Sequence, residues 1–387
     1  MFWTLVASRG SGGGVLLRSL YPGVVTASRC TQPQSRSFSG TVPATQSEAK
    51  PCPVRRRSIS VSPFVNVRTH LDCSISIRPL DTHAFPGADR AFITVHGLDS
   101  EQQEVGLDHL HVHCDGEGKE LVITSEKINT KFSIFCPTIL CFLSDLFITA
   151  RGQGNVQIKQ MECDICRVET EKGNCLLHSI RGHEVKVQSH GGNVTGTNTI
   201  HGNVDIRTEG GGEVNIKKLQ GTKMNVCTES GSLKVKAIYS ECSCMSSSSG
   251  KIELGHAHGK TTVRNVSGDT VIDGSNGFLK VSSNTGGIDV YVGDSCSAEL
   301  HSQEGAVTLR VPSTIRVGVE LRGTSVDVQD EAVQIQIRQH KHFLSCIFTS
   351  GYINEEPPAD QWIKARADKG SVTLKTQSWF ESLKLGS

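Results

Sequence analysis

The chain is 387 residues long, with 40 basic and 39 acidic side chains, and its net charge of +1 supplies no field for nucleic acid or an acidic membrane surface. Aromatic residues make up only 5% while glycine reaches 39 residues, a composition suited to many tight turns around a narrow core. The longest apolar stretch, Phe132 to Ile148, is interrupted by Pro137, Ser144 and Asp145 and does not reach the ~18 apolar residues of a spanning helix, so no membrane span is expected.

From the start of the chain, Met1 to Ser47 holds no Asp or Glu, while Arg9, Arg18, Arg29 and Arg36 are spread through Ser-, Thr- and Gly-rich sequence. That is the composition of a mitochondrial transit peptide, whereas the apolar run Phe2 to Ala7 is too short for a secretory core of ~7–15 residues. The run Arg36-Ser37-Phe38-Ser39 resembles a presequence cleavage site. Residues 1–38 are therefore expected to be a transit peptide, with a mature start at Ser39 and the matrix as destination. Gly10 to Gly14 lacks the preceding strand and following Lys-Ser/Thr of a phosphate loop. Residues 39–62, with Pro43, Pro51, Pro53 and Arg55-Arg56-Arg57, read as a disordered linker. Residues 63–150 alternate in short runs (Cys73, Ile75, Ile77; Leu110, Val112, Cys114; Leu121, Ile123) and read as a strand-rich N-terminal cap.

Residues 151–325 carry an internal repeat. A unit Gly-x-apolar-x-apolar begins at Gly173, Gly192, Gly212, Gly231, Gly250, Gly268, Gly286 and Gly305, at spacings of 19, 20, 19, 19, 18, 18 and 19. A weaker alternating series lies between these units: Val185/Val187, Val204/Ile206, Met224/Val226, Cys242/Cys244, Leu279/Val281 and Ala298/Leu300. The pattern predicts an all-β fold, a β-solenoid of ~19-residue, two-strand coils with glycine supplying φ > 0 at each corner. An antiparallel meander is the competing reading, but it does not explain why strong and weak units alternate. Residues 326–387 read as a C-terminal β cap, in which Lys369 to Leu374 restates the repeat. Trp362, Trp379 and Phe380 are expected to plug the open end.

A functional ladder would repeat one chemistry down an outward column. Thr195, Asn215, Lys234, Glu253, Val271, Asp289 and Thr308 form one; Asn193, Glu213, Ser232, Lys251, Asp269, Gly287 and Ala306 form the other. Neither stacks acids or threonines. The 14 cysteines are irregularly spaced and read as buried thiols. Cys163 and Cys166, three apart on a strand, are expected on opposite faces, and Cys242/Cys244 on inward slots. The pairs His111/His113, His256/His258 and His340/His342 each project two imidazoles, short of the three or four ligands of a zinc site, and read as polar surface. Asn193 and Asn265 head glycosylation sequons that matter only in a secreted protein, and Ser246 to Ser249 reads as a loop. No Gly-x-Ser-x-Gly elbow or His-Glu-x-x-His motif is present.

The recurrent Gly-x-Val-x-Val units, with Leu309-Arg310-Val311-Pro312 after the last coil, resemble a bacterial adhesin-like family of β-helix domains, and the whole chain looks like a vertebrate family of such proteins. The resemblance implies a binding role and carries over no catalytic residue. Phe135 to Asp145 departs from the expected alternation, which leaves the register of the first coil open. The resulting expectation is a mitochondrial, non-enzymatic solenoid that binds a protein partner, with no catalytic, cofactor-binding or metal residues, no cofactor and no small-molecule substrate. The competing readings are a metal- or thiol-dependent enzyme using the His pairs or cysteines, and a secreted adhesin-like module.

Overall fold

A computed structural model describes residues 53–62, 64–80, 89–96, 110–125, 131–136, 143–294, 296–329, 335–343, 346–356 and 361–377, all within one unit, Lys50–Ser387. The expected transit peptide lies outside the described residues, as do Trp379 and Phe380. The N-terminal strands are β1 (Pro53–Ser60), β2 (Asn66–Leu71), β3 (Ser74–Pro79), β4 (Arg90–His96), β5 (Leu110–Cys114), β6 (Glu120–Ser125), β7 (Lys131–Cys136) and β8 (Leu143–Ala150). The central strands are β9 (Val156–Thr170), β10 (Cys175–Ser189), β11 (Val194–Thr208), β12 (Val214–Thr228), β13 (Leu233–Ser247), β14 (Ile252–Asn265), β15 (Thr270–Ser283), β16 (Ile288–Tyr291), β17 (Cys296–Ser302) and β18 (Val307–Val311). The C-terminal strands are β19 (Val317–Gly323), β20 (Val326–Gln329), β21 (Ile335–Phe343), β22 (Cys346–Ile353), β23 (Trp362–Ala367) and β24 (Val372–Thr376).

Strands β9 to β15 pair successively and always in parallel, which makes the chain a β-solenoid and removes the meander. The coil differs from the expected two-strand unit. Inward residues of β9 are Val156 and Ile158, then Met161 and Cys163, then Cys166, Val168 and Thr170. Each break in the alternation is a corner, so one coil has three straight runs. Gln160 (φ 50) and Ser179 (φ 55) turn the first corner; Gly259 (φ 93) and Gly277 (φ 112) turn the second. The middle run shares one inward slot down the stack, held by Met161, Ile180, Ile200, Leu219, Ile238 and Ala257, all buried, and in β9 alone Cys163 joins it.

The three-run coil corrects two cysteine assignments. Cys163 and Cys166 are both buried, because a corner lies between them and two faces of the same coil point into one core. Cys242 is exposed and Cys244 half-buried; the register puts Ser243 opposite Met224 and Met245 opposite Val226, so Ser243 and Met245 fill the inward slots. A one-residue slip exchanges the two faces of a strand.

The glycine column also has a different cause from the one expected. Positive φ is not the rule at these corners. Instead, a Cβ built on Gly173, Gly192, Gly231, Gly250, Gly286 or Gly305 would fall within 3.0 Å of the carbonyl oxygen of the glycine one coil earlier. The column begins on Cys73, which lies under Gly154, and ends with Gly370 over Gly305. Beside it runs a buried polar ladder, Thr170, Ser189, Thr208, Thr228, Ser247, Asn265, Ser283 and Ser302. Ser189 Oγ donates to the Gly192 carbonyl at 2.7 Å, Thr208 Oγ1 to Gly212 at 2.9 Å and Ser283 Oγ to Gly286 at 2.9 Å, while Gly250 N donates to Ser247 Oγ at 2.9 Å. Ser246 and Ser247 therefore belong to strand β13 rather than to a loop.

Both ends of the stack are built out of chain order. At the N-terminal end β2 lies parallel between β6 and β8, and β3 between β7 and β9, so the outermost coil is made of β6 and β7. Antiparallel β5 covers β6, and antiparallel β4 covers β7, with β1 beyond it. The stretch read as a linker thus enters the sheet at Pro53, where Arg56 lies 4.2 Å from the Phe92 ring centroid. At the C-terminal end β23 and β24 insert between β17/β18 and the earlier-synthesised β19/β20. The β21–β22 hairpin then covers β19 antiparallel. Trp362 is half-buried against Gly318, at the junction of β23 with β19 rather than at an open end.

Replacing Gly231 by alanine is expected to cost at least about 3 kcal/mol, since the methyl has nowhere to go but into backbone. Gly211→Ala, at a position where a Cβ meets nothing within 4 Å, should stay within about 0.5 kcal/mol of the parent. Urea unfolding midpoints of the two variants check this, and equal midpoints would remove the stacking account.

Candidate functional site

Three-run coils give the solenoid three outer faces, and the middle one carries the chemistry. Its outward column runs in register through Glu162, Arg181, His201, Gln220, Tyr239, His258 and Asn276. Arg181 pairs with Glu162 at 3.6 Å, and the His258 ring stacks on Tyr239 at 4.6 Å and 10°. Lys218 Nζ lies 4.9 Å from the Tyr239 ring centroid. Tyr239 is 41% exposed, so a large aromatic stands on the surface with both of its neighbours holding its orientation.

This face ends in a cavity of about 300 Å³ lined by His256, Ala257, His258, Gly274, Ser275, Asn276, Tyr291, Gly293 and Asp294. The cavity exists because the repeat is altered there. The inner slot that holds Ile238 holds Ala257 and then Ser275 in the next two coils. Exchanging isoleucine for alanine in a packed core costs about 2–5 kcal/mol, so filling this slot with small residues forgoes stability. In the coil after that β16 stops at Tyr291 and β17 begins at Cys296, and the described residues between them, Val292 to Asp294, form no middle strand. A Cβ on Gly274 would fall 2.6 Å from His256 Nδ1, so the glycine leaves room for the imidazole.

Ser275 Oγ lies 3.3 Å from the Tyr291 carbonyl, to which it donates, and 3.2 Å from Cys296 Sγ. Burial, then the nearby Asp294 carboxylate, pushes the Tyr291 phenol above its usual range, with Arg310 opposing. Arg310, in register with Tyr291, is only 2% exposed. Its Nε donates to Asp289 Oδ1 at 2.6 Å, Nη1 to Gln377 Oε1 at 3.1 Å and Nη2 to the Ile272 carbonyl at 3.2 Å, with Asp273 at 3.5 Å. A buried guanidinium so fully bonded is a fixed part of the frame behind the cavity.

His111 and His113 are exposed on edge strand β5, and His256 and His258 are brought to the cavity on either side of Ala257. His340 and His342 lie in β21, and their side chains fall outside the described residues. Among the described residues, no group of three or more His, Cys, Asp and Glu is placed to hold a metal ion. Cys163, Cys166 and Cys175 form a buried cluster. A hydrogen bond of its thiol with Cys163 and then burial raise Cys166 well above its usual value, and burial pushes Cys175 up to about 12. Reactive thiols show the opposite shift, so these cysteines act as core. Asn265 is buried and its Nδ2 donates to the Gly250 and Gly268 carbonyls at 3.1 and 2.9 Å, which is incompatible with a glycan on that nitrogen.

One ladder runs into the outward column from the coils that precede it. Asn155, Asn174 and Asn193 stack upstream of it: Asn174 N donates to Asn155 Oδ1 at 2.7 Å, Asn193 N to Asn174 Oδ1 at 2.9 Å and Glu213 N to Asn193 Oδ1 at 2.9 Å. Extending the Gly-Asn pattern back through Gly154-Asn155 and Gly173-Asn174 would have found it.

The family model described as Toastrack DUF4097 matches residues 108–254 and again 202–342, together more than half of the chain. The chain belongs to the Toastrack DUF4097 family. Among solved structures, the Toastrack chain is similar to a putative adhesin from Parabacteroides distasonis, at 14% identity over 84% of this chain and 96% of that one, with a TM-score of 0.34. A second putative adhesin, from Parabacteroides merdae, matches at 10% identity over 84% and 96% with a TM-score of 0.35. A third, from Bacteroides fragilis, matches at 15% over the same shares with a TM-score of 0.25.

The facing of the cysteines is open to chemistry. Treating the native Toastrack chain with a small maleimide is expected to modify Cys242 before Cys163, Cys166 and Cys175, which stay unreacted until denaturant is added. Peptide mass mapping reads the order. Labelling of Cys166 ahead of Cys242 would reverse the assignment of inner and outer slots.

Proposed function

We propose that this Toastrack solenoid is a non-enzymatic binding module that presents its middle face to a protein partner in the mitochondrial matrix. The observation that carries the partner reading is Tyr239, a 41% exposed aromatic held between Lys218 and the His258 ring on a rigid parallel sheet. An aromatic fixed in this way loses little conformational freedom on docking, which is the property of residues that dominate protein interfaces. The backbone beneath it is bonded to coils on both sides, so the face is offered preformed. The buried thiols with raised pKa values do not favour a thiol enzyme, and the engaged Asn265 nitrogen does not favour a glycosylated secreted module. The acid-free, arginine-bearing segment from Met1 to Ser47 supports mitochondrial import.

Affinity purification after crosslinking in mitochondria should recover the same partner repeatedly with the parent chain. Recovery should fall about tenfold with Tyr239→Ser, the loss expected for an interface aromatic. Equal recovery by both chains, or no reproducible partner, would sink the reading. For the compartment, the full precursor incubated with isolated mitochondria is expected to become protease-protected, with a new N-terminus at Ser39 by Edman sequencing. A precursor that stays outside and uncut would remove the mitochondrial assignment.

A further inference from the structure

The cavity at the end of the middle face has a lining that selects among ligands. Asp294 brings a carboxylate, Asn276 an amide, His256 and His258 imidazoles, and Tyr291 a phenol, with no Lys or Arg among the lining residues. Asp294 would repel an anion and no Lys or Arg lines the cavity to offset it, which favours an uncharged ligand over a phosphate or carboxylate. An apolar ligand would cover part of the carboxylate and amide without bonding either. A neutral ring bearing several hydroxyls satisfies all of them: carboxylate and amide groups take neighbouring hydroxyls in pairs, and flat ring faces pack against its C–H surface. Two features hold the lining in place before a ligand arrives. Tyr239 fixes the His258 ring by stacking at 4.6 Å, and Arg310, in register with Tyr291, is bonded on every arm.

We propose that this cavity binds one neutral pyranose ring, with Asp294 and Asn276 as the hydroxyl-reading pair. Its volume of about 300 Å³ lies at the small end of ligand sites and suits a single ring rather than an oligosaccharide. The site goes beyond the protein-docking role of the same face: His258 and Asn276 also belong to the exposed column, but His256, Tyr291 and Asp294 lie off it and line the concavity.

Saturation-transfer NMR on the full chain tests it, with glucose, galactose, mannose and N-acetylglucosamine as probes, each as the free sugar and as its methyl glycoside. At least one is expected to bind with a dissociation constant on the order of 1 mM. Binding of both forms would mark the terminal sugar of a glycan, and of the free form alone a free sugar. Asp294→Ala should weaken it about tenfold or more, as loss of a charged hydrogen-bond acceptor does. Gly274→Ala, which sets a methyl against His256, should do the same through shape, while Glu213→Gln, several coils away, should leave binding unchanged. Because Asp294 is exposed and Gly274 has an unstrained backbone, unchanged circular dichroism is expected for both. No transfer from any probe, or transfer indifferent to both cavity variants, would overturn the proposal. So would stoichiometric zinc binding lost in Asp294→Ala, which would assign the cavity to a metal.

Discussion

The constraint on which this fold rests is the spacing of two hydrogen-bonded strands, ~4.8 Å, applied at a corner where the backbone has no room to spare. At the glycine column each residue lies directly over the carbonyl of the glycine before it, and any side chain there would meet backbone. The consequence is a fixed period. Once one corner must sit on another, the residues between have to close a loop of nearly constant length, and every inward slot is aligned with the same slot in the next coil. The buried Ser/Thr ladder belongs to the same corner, where the hydroxyls of Ser189, Thr208, Ser247 and Ser283 reach carbonyls and N–H groups of the glycine turn.

A stack with such repeated edges would continue indefinitely unless something ended it. Both ends are closed by the same device: the chain leaves the stack, forms an outer coil, and a later or earlier segment inserts beneath it. The outer coil is then covered by antiparallel strands, which bond its free edge in a direction that no parallel coil could extend. Gly370 shows how strictly the corner rule is kept, since the inserted segment places a glycine on Gly305 although 65 residues separate them in the chain.

Much of this was legible in the sequence, and the parts that were not have a physical reason. The glycine period and the strong Gly-x-apolar-x-apolar runs announce the solenoid, because a backbone clash admits one residue type and a two-sided strand shows its period directly. The middle run was hidden because a single inward residue between two corners has no partner at i+2 to reveal it. Cys242 and Cys244 misled because cysteine passes for an apolar residue, while the true inward neighbour, Ser243, hides its burial behind a hydroxyl that donates to Thr261 Oγ1 at 2.9 Å. The inserted end coils were invisible because pairing order across dozens of residues leaves no trace in local alternation. His256 and His258 could be named from spacing, but not the cavity beside them, which depends on what the next two coils omit.

That omission says where specificity can arise in a repeat of this kind. In a linear stack each coil touches only its neighbours, so an irregularity is felt locally and the rest of the ladder holds it in place. The spacing drops to 18 at Gly268 and Gly286, and β14 and β15 are 14 residues long where the earlier strands are 15. The missing residue is taken up by a register shift between Tyr239 and Cys242, at the second corner of the middle face. From that point the inner slot shrinks from Ile238 to Ala257 to Ser275, the outer column gains its aromatic stack, and the middle run ends. A uniform coil offers the same surface at every level and cannot discriminate. Three changes concentrated within three coils, each at a cost in packing or regularity, set this place apart from the regular coils that precede it.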